Sequence, residues 1–174
     1  FQVVASELDL GGTPYRLVRT IGKGGMGTVY CVEDTRLGRE VALKALDVEV
    51  EEARVIARLE HPGIVPVHDV GRLPDGRAYY VMKLVRGERL DAWLGRAPPV
   101  AARVRLFQRI CEAVGFAHAQ GVVHRDLKPS NVMVGAYGEA LVMDWGLSEV
   151  KGAAGTRGFT PPEQEAGKPT DARA

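Results

Sequence analysis

The sequence lacks a large excess of charge of either sign, and it contains few aromatic residues and few cysteines. Its 174 residues include 23 lysines and arginines against 22 aspartates and glutamates, a formal net charge of +1. This balance gives no electrostatic reason to expect nucleic acid or an anionic membrane surface as a partner. The two cysteines, Cys31 and Cys111, are far apart and outside any C-x-x-C pattern. They therefore favour two structural thiols in a reducing compartment.

Long apolar runs are missing too. No run approaches the roughly 18 residues needed to span a bilayer, and no signal peptide is recognisable. We expect a cytoplasmic location, and a chain that begins at Phe1 leaves open that it is the cytosolic domain of a larger membrane-anchored protein. Hydrophobic residues make up 45% and charged residues 26%, as is typical of one globular domain with a substantial core.

Two regions with different patterns follow one another. From residue 15 to 84 short β-like runs are separated by glycine, aspartate and proline turn signals. The runs read YRLVRTI, GTVYCVED, EVALKAL, IVPVHDVG and AYYVMKLV. A helical stretch over residues 51–59 interrupts them and ends at His61-Pro62-Gly63.

From Leu90 onward the pattern becomes mainly helical. The segment DAWL is followed by a long amphipathic stretch. Its apolar residues at helical spacing are Val104, Phe107, Ile110, Cys111, Val114 and Ala117. Beyond it, VVHRD, NVMVG and ALVMD read as short buried strands around loops.

The glycine-rich stretch IGKGGMGTVY fits G-x-G-x-x-G at Gly22, Gly24 and Gly27. A dinucleotide-binding fold would need a helix after these glycines, but a strand follows, and no Gly-Lys-Ser/Thr completes a Walker A loop. A glycine-rich hairpin can also cover a nucleotide, since its N–H groups approach phosphates where a Cβ would obstruct them. The motif alone does not separate this possibility from an ordinary turn.

Further motifs follow in a fixed order. Val41-Ala42-Leu43-Lys44 places a lysine on the strand after the hairpin, HRDLKPSN supplies Asp126 and Asn131, and Asp144-Trp145-Gly146 follows an apolar run. With Thr160-Pro161-Pro162-Glu163, they resemble the signature of the protein kinases: a Gly-rich loop, V-A-I-K, H-R-D-L-x-x-x-N, D-F-G and A-P-E. Lys128 and the residues of several motifs resemble those of bacterial, Hanks-type serine/threonine kinases.

The resemblance implies an α+β fold of the bilobal protein-kinase kind over residues 1–174. Residues 15–84 would form an N-lobe with an antiparallel β-sheet, one helix and the start of the hinge. Residues 85–174 would form a partial, mainly α-helical C-lobe that carries the catalytic loop and the activation segment. The family's central C-lobe helix would begin where this sequence stops, hence the expectation of a truncated domain.

The resemblance also implies a serine/threonine protein kinase that transfers the γ-phosphate of ATP to a protein hydroxyl with Mg²⁺. Asp126 would be the catalytic base, Lys128 would steady the γ-phosphate, and Lys44 would contact the α and β phosphates. Asn131 and Asp144 would hold the metal.

The remaining implied residues bind the nucleotide or support Lys44. The nucleotide set is Ile21, Gly22, Gly24, Gly27, Val29, Ala42, Lys44, Met82, Lys83, Val85 and Met133. Glu52 is the best candidate for the glutamate that pairs with Lys44, with Glu49 and Glu51 as alternatives. The expected partners are ATP and a protein with serine or threonine, and homodimerisation is left open.

Departures from the family pattern, above all the truncation, support a second hypothesis. The spacing from Lys44 to Glu52 is short, as is the activation segment, and Trp145 replaces the usual phenylalanine. The alternative is a truncated or pseudokinase-like module that binds nucleotide or a partner without turnover. We expect Trp145 to change packing rather than metal binding. His124 is expected to be a structural hydrogen-bonding residue, and Thr156 to contact the catalytic loop.

Overall fold

A five-stranded antiparallel sheet organises the first part of the chain in this computed structural model, which describes residues 8–24, 27–46, 54, 56–145, 156, 158–168 and 170–171. Its strands lie in the order β1-β2-β3-β5-β4. They are β1 (Tyr15–Gly24), β2 (Gly27–Asp34), β3 (Arg39–Leu46), β4 (Val67–Arg72) and β5 (Ala78–Lys83).

One face of this sheet carries the hydrophobic core of the first unit. Side chains alternate between the faces of a strand, so Val41, Leu43 and Ala45 of β3 lie on the same side. They pack with Tyr15, Val32, Tyr79 and Val81, and all seven are buried. The opposite face therefore carries the intervening residues of the same strands.

The described residues beyond the first sheet form helices and a small second sheet, whose strand order is β6-β7-β8. These strands are β6 (Gly87–Arg89), β7 (Val132–Gly135) and β8 (Ala140–Val142). The helices are α1 (Leu90–Gly95), α2 (Val100–Ala119) and α3 (Pro162–Glu165), with a 3₁₀ turn at Pro129–Asn131. Among the described residues, no helix has both the length and the apolar character to cross a bilayer.

The chain divides into two units. Residues 1–54 and 67–84 form the first, and residues 55–66 and 85–174 form the second. The predicted helix over 51–59 lies largely outside the described residues, although residues 54, 56 and 57 are helical. Residues 55–66 group with the second unit, where Ile64 forms a parallel bridge to Val142.

Two strand predictions were wrong in detail. The run IVPVHDVG is not one strand, because β4 begins at Val67, after Pro66, and Ile64 instead bridges to Val142. VVHRD is not a strand either: residues 122–124 have no ladder pairing. The peptide groups that follow them are bonded to side chains instead, as the site geometry shows.

The buried face of α2 also differs from the prediction. Val104, Phe107 and Cys111 are exposed, Phe107 to 66%. The residues buried along this helix are Leu106, Ile110, Ala113 and Ala117. This stripe packs on β8 and on residues 61–64, where a Cβ on Gly63 would lie 2.9 Å from the Ala113 methyl group. The helix therefore has two apolar stripes. The stripe that contains Ala113 is the buried one, because only a small side chain fits the close approach at Gly63.

Candidate active site

Four of the predicted nucleotide-binding residues share one face of the first sheet. Val29 pairs with Lys44, and Ala42 pairs with Met82, in the strand register. Directly paired residues project to the same side, which here is the side opposite the hydrophobic core. Lys44 is 4% exposed and Met82 7% exposed, so a cationic side chain is buried on this face beside apolar residues.

The glycines of the hairpin differ in whether the sheet geometry requires a glycine at that position. Gly27 has a φ of +121°, and a Cβ there would lie 2.1 Å from the Ala45 carbonyl oxygen. Gly22 lies opposite Val29, and a Cβ there would have open space. Gly24 pairs with Gly27 at the hairpin end. Sheet geometry therefore requires glycine at position 27, whereas it does not at position 22.

The carboxylate of Asp126 is the centre of the polar loop in the second unit. It is 7% exposed, and both of its oxygens accept hydrogen bonds. Lys128 Nζ lies 2.7 Å from Oδ2, and Asn131 Nδ2 donates to Oδ2 at 3.2 Å and to the Asp126 carbonyl at 2.8 Å. Thr156 donates to Oδ1 through its amide at 3.2 Å and its hydroxyl at 2.8 Å.

These bonds decide the charge state of Asp126. Burial favours the neutral carboxyl, but the hydrogen bonds from Lys128 and Thr156 outweigh it and hold the pKa of Asp126 below its ordinary value. Lys128 also donates to the Thr156 hydroxyl. The loop thus holds an ionised carboxylate beside an ammonium group, an arrangement able to accept a proton and to place a positive charge near an anion.

His124 holds the loop through hydrogen bonds to the backbone, as predicted for a structural hydrogen-bonding residue. Its Nδ1 accepts from the Asp126 amide at 3.3 Å, and its Nε2 lies 2.8 Å from the Met143 carbonyl. These partners assign the proton to Nε2. Burial lowers the pKa of His124, although the bond to Met143 opposes that shift. The imidazole is therefore neutral at pH 7.

Trp145 packs against His124 with ring centroids 4.8 Å apart. The indole is 1% exposed, and its Nε1–H donates to the Val142 carbonyl at 3.2 Å. A phenylalanine could fill part of this space but could not make that bond. The ring therefore ties the end of β8 to the residues that support Asp126.

Asn131 and Asp144 are brought together by the backbone, because the Met143 amide donates to the Asn131 carbonyl at 2.9 Å. Asn131 uses its amide nitrogen toward Asp126, which leaves its side-chain oxygen as the acceptor for another group. Asp144 has a φ of +59°. An amide oxygen and a carboxylate are hard donors that suit Mg²⁺.

Across the described ranges, no three histidine, cysteine, aspartate or glutamate side chains group as a metal site. A site with few protein ligands is typical of Mg²⁺, which keeps waters and substrate phosphates as its other ligands. The donors that are present therefore fit that ion.

Gln164 was missed by the sequence analysis. Its Nε2 donates to the Arg125 carbonyl at 3.0 Å, so it joins α3 to the loop that carries Asp126. The sequence motif Thr160-Pro161-Pro162-Glu163 ends one residue earlier, and nothing in the local sequence signals that the next side chain bonds to a residue 39 positions before it. The predicted contact of Thr156 with the loop is present.

The other predicted residues are placed as follows. Ile21 is 47% exposed, Lys83 is exposed at the end of β5, and Val85 and Met133 are half-buried. Ile21, Lys83 and the four sheet residues belong to the first unit, and Val85 and Met133 belong to the second. Glu52, with its alternatives Glu49 and Glu51, lies outside the described residues, as does Gly146.

Comparison with known proteins gives consistent results. The sequence profile described as Protein kinase domain matches residues 15–173. The chain is 39% identical over 179 residues to Serine/threonine-protein kinase PknA of Mycobacterium tuberculosis, an alignment that covers 88% of this chain and 42% of PknA. It is 34% identical over 160 residues to Serine/threonine-protein kinase PknD of Protochlamydia amoebophila, covering 78% of this chain and 16% of PknD.

A solved structure is similar as well. The crystal structure of the Mycobacterium tuberculosis PknI kinase domain matches with a TM-score of 0.75 and 30% identity, covering 92% of this chain and 68% of that one. The chain spans less than half the length of the curated relatives named above.

Proposed function

The chain belongs to the protein kinase domain family, and we propose that it is an ATP-dependent serine/threonine protein kinase. The observation that carries this proposal is the state of Asp126: an ionised, buried carboxylate beside the ammonium group of Lys128 on the HRDLKPSN loop. In the reaction, a substrate hydroxyl oxygen bonds to the γ-phosphorus, and the bond from that phosphorus to the β–γ bridging oxygen breaks. ADP leaves, and the hydroxyl proton passes to Asp126.

The second unit supplies the groups around the transferred phosphate. Lys128 places positive charge beside Asp126, where negative charge accumulates on the phosphoryl oxygens. Asn131 and Asp144 are the residues that would hold Mg²⁺, which when bound neutralises phosphate charge. Met133, half-buried on β7, and Val85 contribute apolar surface and backbone groups for the adenine.

The first unit supplies nucleotide-binding groups. Lys44, buried on the face opposite the core, contacts the α and β phosphates, and Glu52 pairs with it. Adenine is bound by apolar residues and by the backbone at Lys83, whereas the glycine hairpin covers the phosphates. The apolar residues are Ile21, Val29, Ala42 and Met82, and the hairpin residues are Gly22, Gly24 and Gly27.

The protein's surroundings follow from the same proposal. The substrate is a protein with an accessible serine or threonine. The exposed thiol of Cys111, which forms no disulfide, is consistent with a reducing, cytoplasmic location. Homodimerisation remains a prediction.

One experiment tests the proposal. The chain is incubated with γ-radiolabelled ATP, Mg²⁺ and a generic protein substrate, beside an Asp126→Asn variant and a control, Asp75→Asn, which alters an exposed aspartate on the β4–β5 turn. We expect label on serine or threonine for the wild type and the control, and a loss of at least about 10²-fold for Asp126→Asn, the range for removal of a general base.

Two outcomes would contradict the proposal. If the wild type transferred no more label than Asp126→Asn, while binding ATP in an equilibrium measurement, the module without turnover would be the better description. If it bound no ATP either, the nucleotide-binding residues would also be wrong.

A further inference from the structure

The peptide group between Arg125 and Asp126 is held at both ends by side chains. Its carbonyl, on Arg125, accepts from Gln164 Nε2 at 3.0 Å. Its N–H, on Asp126, donates to His124 Nδ1 at 3.3 Å. This peptide immediately precedes the Cα of Asp126, so its orientation sets the direction in which the carboxylate projects.

The orientation of this peptide needs support from outside the loop. Arg125 has a φ of +65°, in the left-handed region that is unfavourable for a residue with a Cβ. A conformation of this kind persists when the surroundings determine it. Here the surroundings include His124, from the loop itself, and Gln164, from α3.

The Gln164 side chain makes this bond in a sheltered position. Its Oε1 is buried and has no hydrogen-bond partner among the residues that the structure describes. The amide orientation follows from the partner, because a carbonyl can only accept and Nε2 is the donor. The amide thus lies against the loop with its nitrogen, and not its oxygen, facing Arg125.

From these contacts we infer that Gln164 is a positioning residue for Asp126. Through Gln164, the direction of the Asp126 carboxylate depends on how residues 158–168, which include α3, pack against the loop. When that segment is packed against the loop, the Arg125–Asp126 peptide is bonded at both ends; when it is not, the bond from Gln164 to the Arg125 carbonyl is lost. The inference rests on the proposed function, since it concerns the residue that accepts the proton.

The test compares two Gln164 variants with a matched control. Gln164→Glu keeps the shape but places a carboxylate oxygen against the Arg125 carbonyl, and Gln164→Met removes the donor at similar length. Gln108→Glu is the same chemical change on the exposed side of α2. We expect both Gln164 variants to lower kcat about tenfold, equivalent to about 1.4 kcal/mol of barrier. KM for ATP and for substrate should stay within about twofold, because binding groups are untouched.

A second measurement keeps this test separate from the proposed function. Amide hydrogen exchange of the Asp126 N–H should become faster in both Gln164 variants than in Gln108→Glu, because the peptide loses the hydrogen bond to its carbonyl oxygen. If the wild type transfers no phosphate, the proposed function fails, and the exchange rates alone decide the positioning role.

Two results would overturn the inference. One is an unchanged kcat and unchanged Asp126 exchange in both variants. The other is a melting temperature far below that of Gln108→Glu in both variants, which would make Gln164 a general structural residue.

Discussion

Thr156 donates two hydrogen bonds to one oxygen of Asp126, through its amide and through its hydroxyl. The two residues are thirty positions apart, one on the HRDLKPSN loop and one just before α3. Lys128 donates to the same hydroxyl while it also pairs with the other carboxylate oxygen. A single threonine therefore connects the segment before α3 to both Asp126 and Lys128.

Replacing Thr156 by valine should raise the pKa of Asp126. The variant keeps the amide bond and the side-chain shape but removes the hydroxyl donor, one of the bonds that hold this pKa below its ordinary value. Because Asp126 accepts a proton only when ionised, the acidic limb of the kcat/KM profile should move to higher pH. Thr156→Ser retains the hydroxyl and should keep the wild-type profile. An acidic limb at the same pH in all three proteins would contradict this assignment.

The neutral state of His124 should make stability fall in mild acid. Its pKa is lowered on folding, so the unfolded chain binds more protons below about pH 6.5, the ordinary value for histidine. The contribution of neutral His124 to the free energy of unfolding is fully present above that pH and is lost as pH falls toward the folded-state pKa. Urea unfolding of the wild type and His124→Phe between pH 5 and 8 measures it, and the variant should show a smaller slope.

His68 requires a control in that experiment, because burial lowers its pKa as well. His68→Gln should remove only the part of the pH dependence of the free energy of unfolding that His68 causes. The part that His124 causes should remain. A slope that His124→Phe does not change would show that the imidazole is not held neutral by the fold.

Gly27 and Gly22 should respond differently to alanine. Gly27→Ala places a methyl group against the Ala45 carbonyl in a strained backbone conformation, and we expect a loss of about 1–3 kcal/mol in the free energy of unfolding. Gly22→Ala meets open space and should change it by no more than about 0.5 kcal/mol. Urea midpoints of the two variants provide the comparison, and equal midpoints would contradict the hairpin geometry.

Trp145→Phe should destabilise the second unit by about 1 kcal/mol, the usual value of one lost hydrogen bond, here that to the Val142 carbonyl. Trp145→Ala should cost about 3–5 kcal/mol, since it leaves a large cavity. Trp93→Phe, at a half-buried position on α1, is the control. Circular dichroism melts measure all three, and a Trp145→Phe variant as stable as Trp93→Phe would be the contrary result.

The metal requirement should depend on Asp144. Chelation by EDTA should abolish transfer, and added Mg²⁺ should restore it. Asp144→Asn removes one anionic ligand at constant shape, so the Mg²⁺ concentration for half-maximal rate should rise at least about tenfold. Asp91→Asn, on the exposed start of α1, should leave it unchanged. Transfer that persists in EDTA would exclude this role.

The sequence predicted the family and the fold class, and both predictions are confirmed. The candidate residues of the catalytic loop could be identified because their motif is local: Asp126, Lys128 and Asn131 lie within six residues. Strands β7 and β8 were predicted from short apolar runs between turn signals, and both runs pair in the second sheet.

What the sequence could not supply depended on distant partners. Helix α2 carries two apolar stripes of similar quality, and periodicity does not say which one meets Gly63. The role of Gln164 depends on a left-handed residue 39 positions earlier in the chain, a conformation that no residue type in HRDLKPSN requires. VVHRD looked like a strand because its β-branched residues are typical of strands, but it has no ladder partner.

The bonding of Asp126 has a consequence for how a substrate is received. Each carboxylate oxygen has two lone-pair sites, and the described donors fill all four: two from Thr156, one from Lys128 and one from Asn131. A substrate hydroxyl can therefore reach this oxygen pair only by exchange with a resident donor. The Thr156 hydroxyl is the donor most like a substrate hydroxyl, and it occupies a position at Asp126 that a substrate hydroxyl would need.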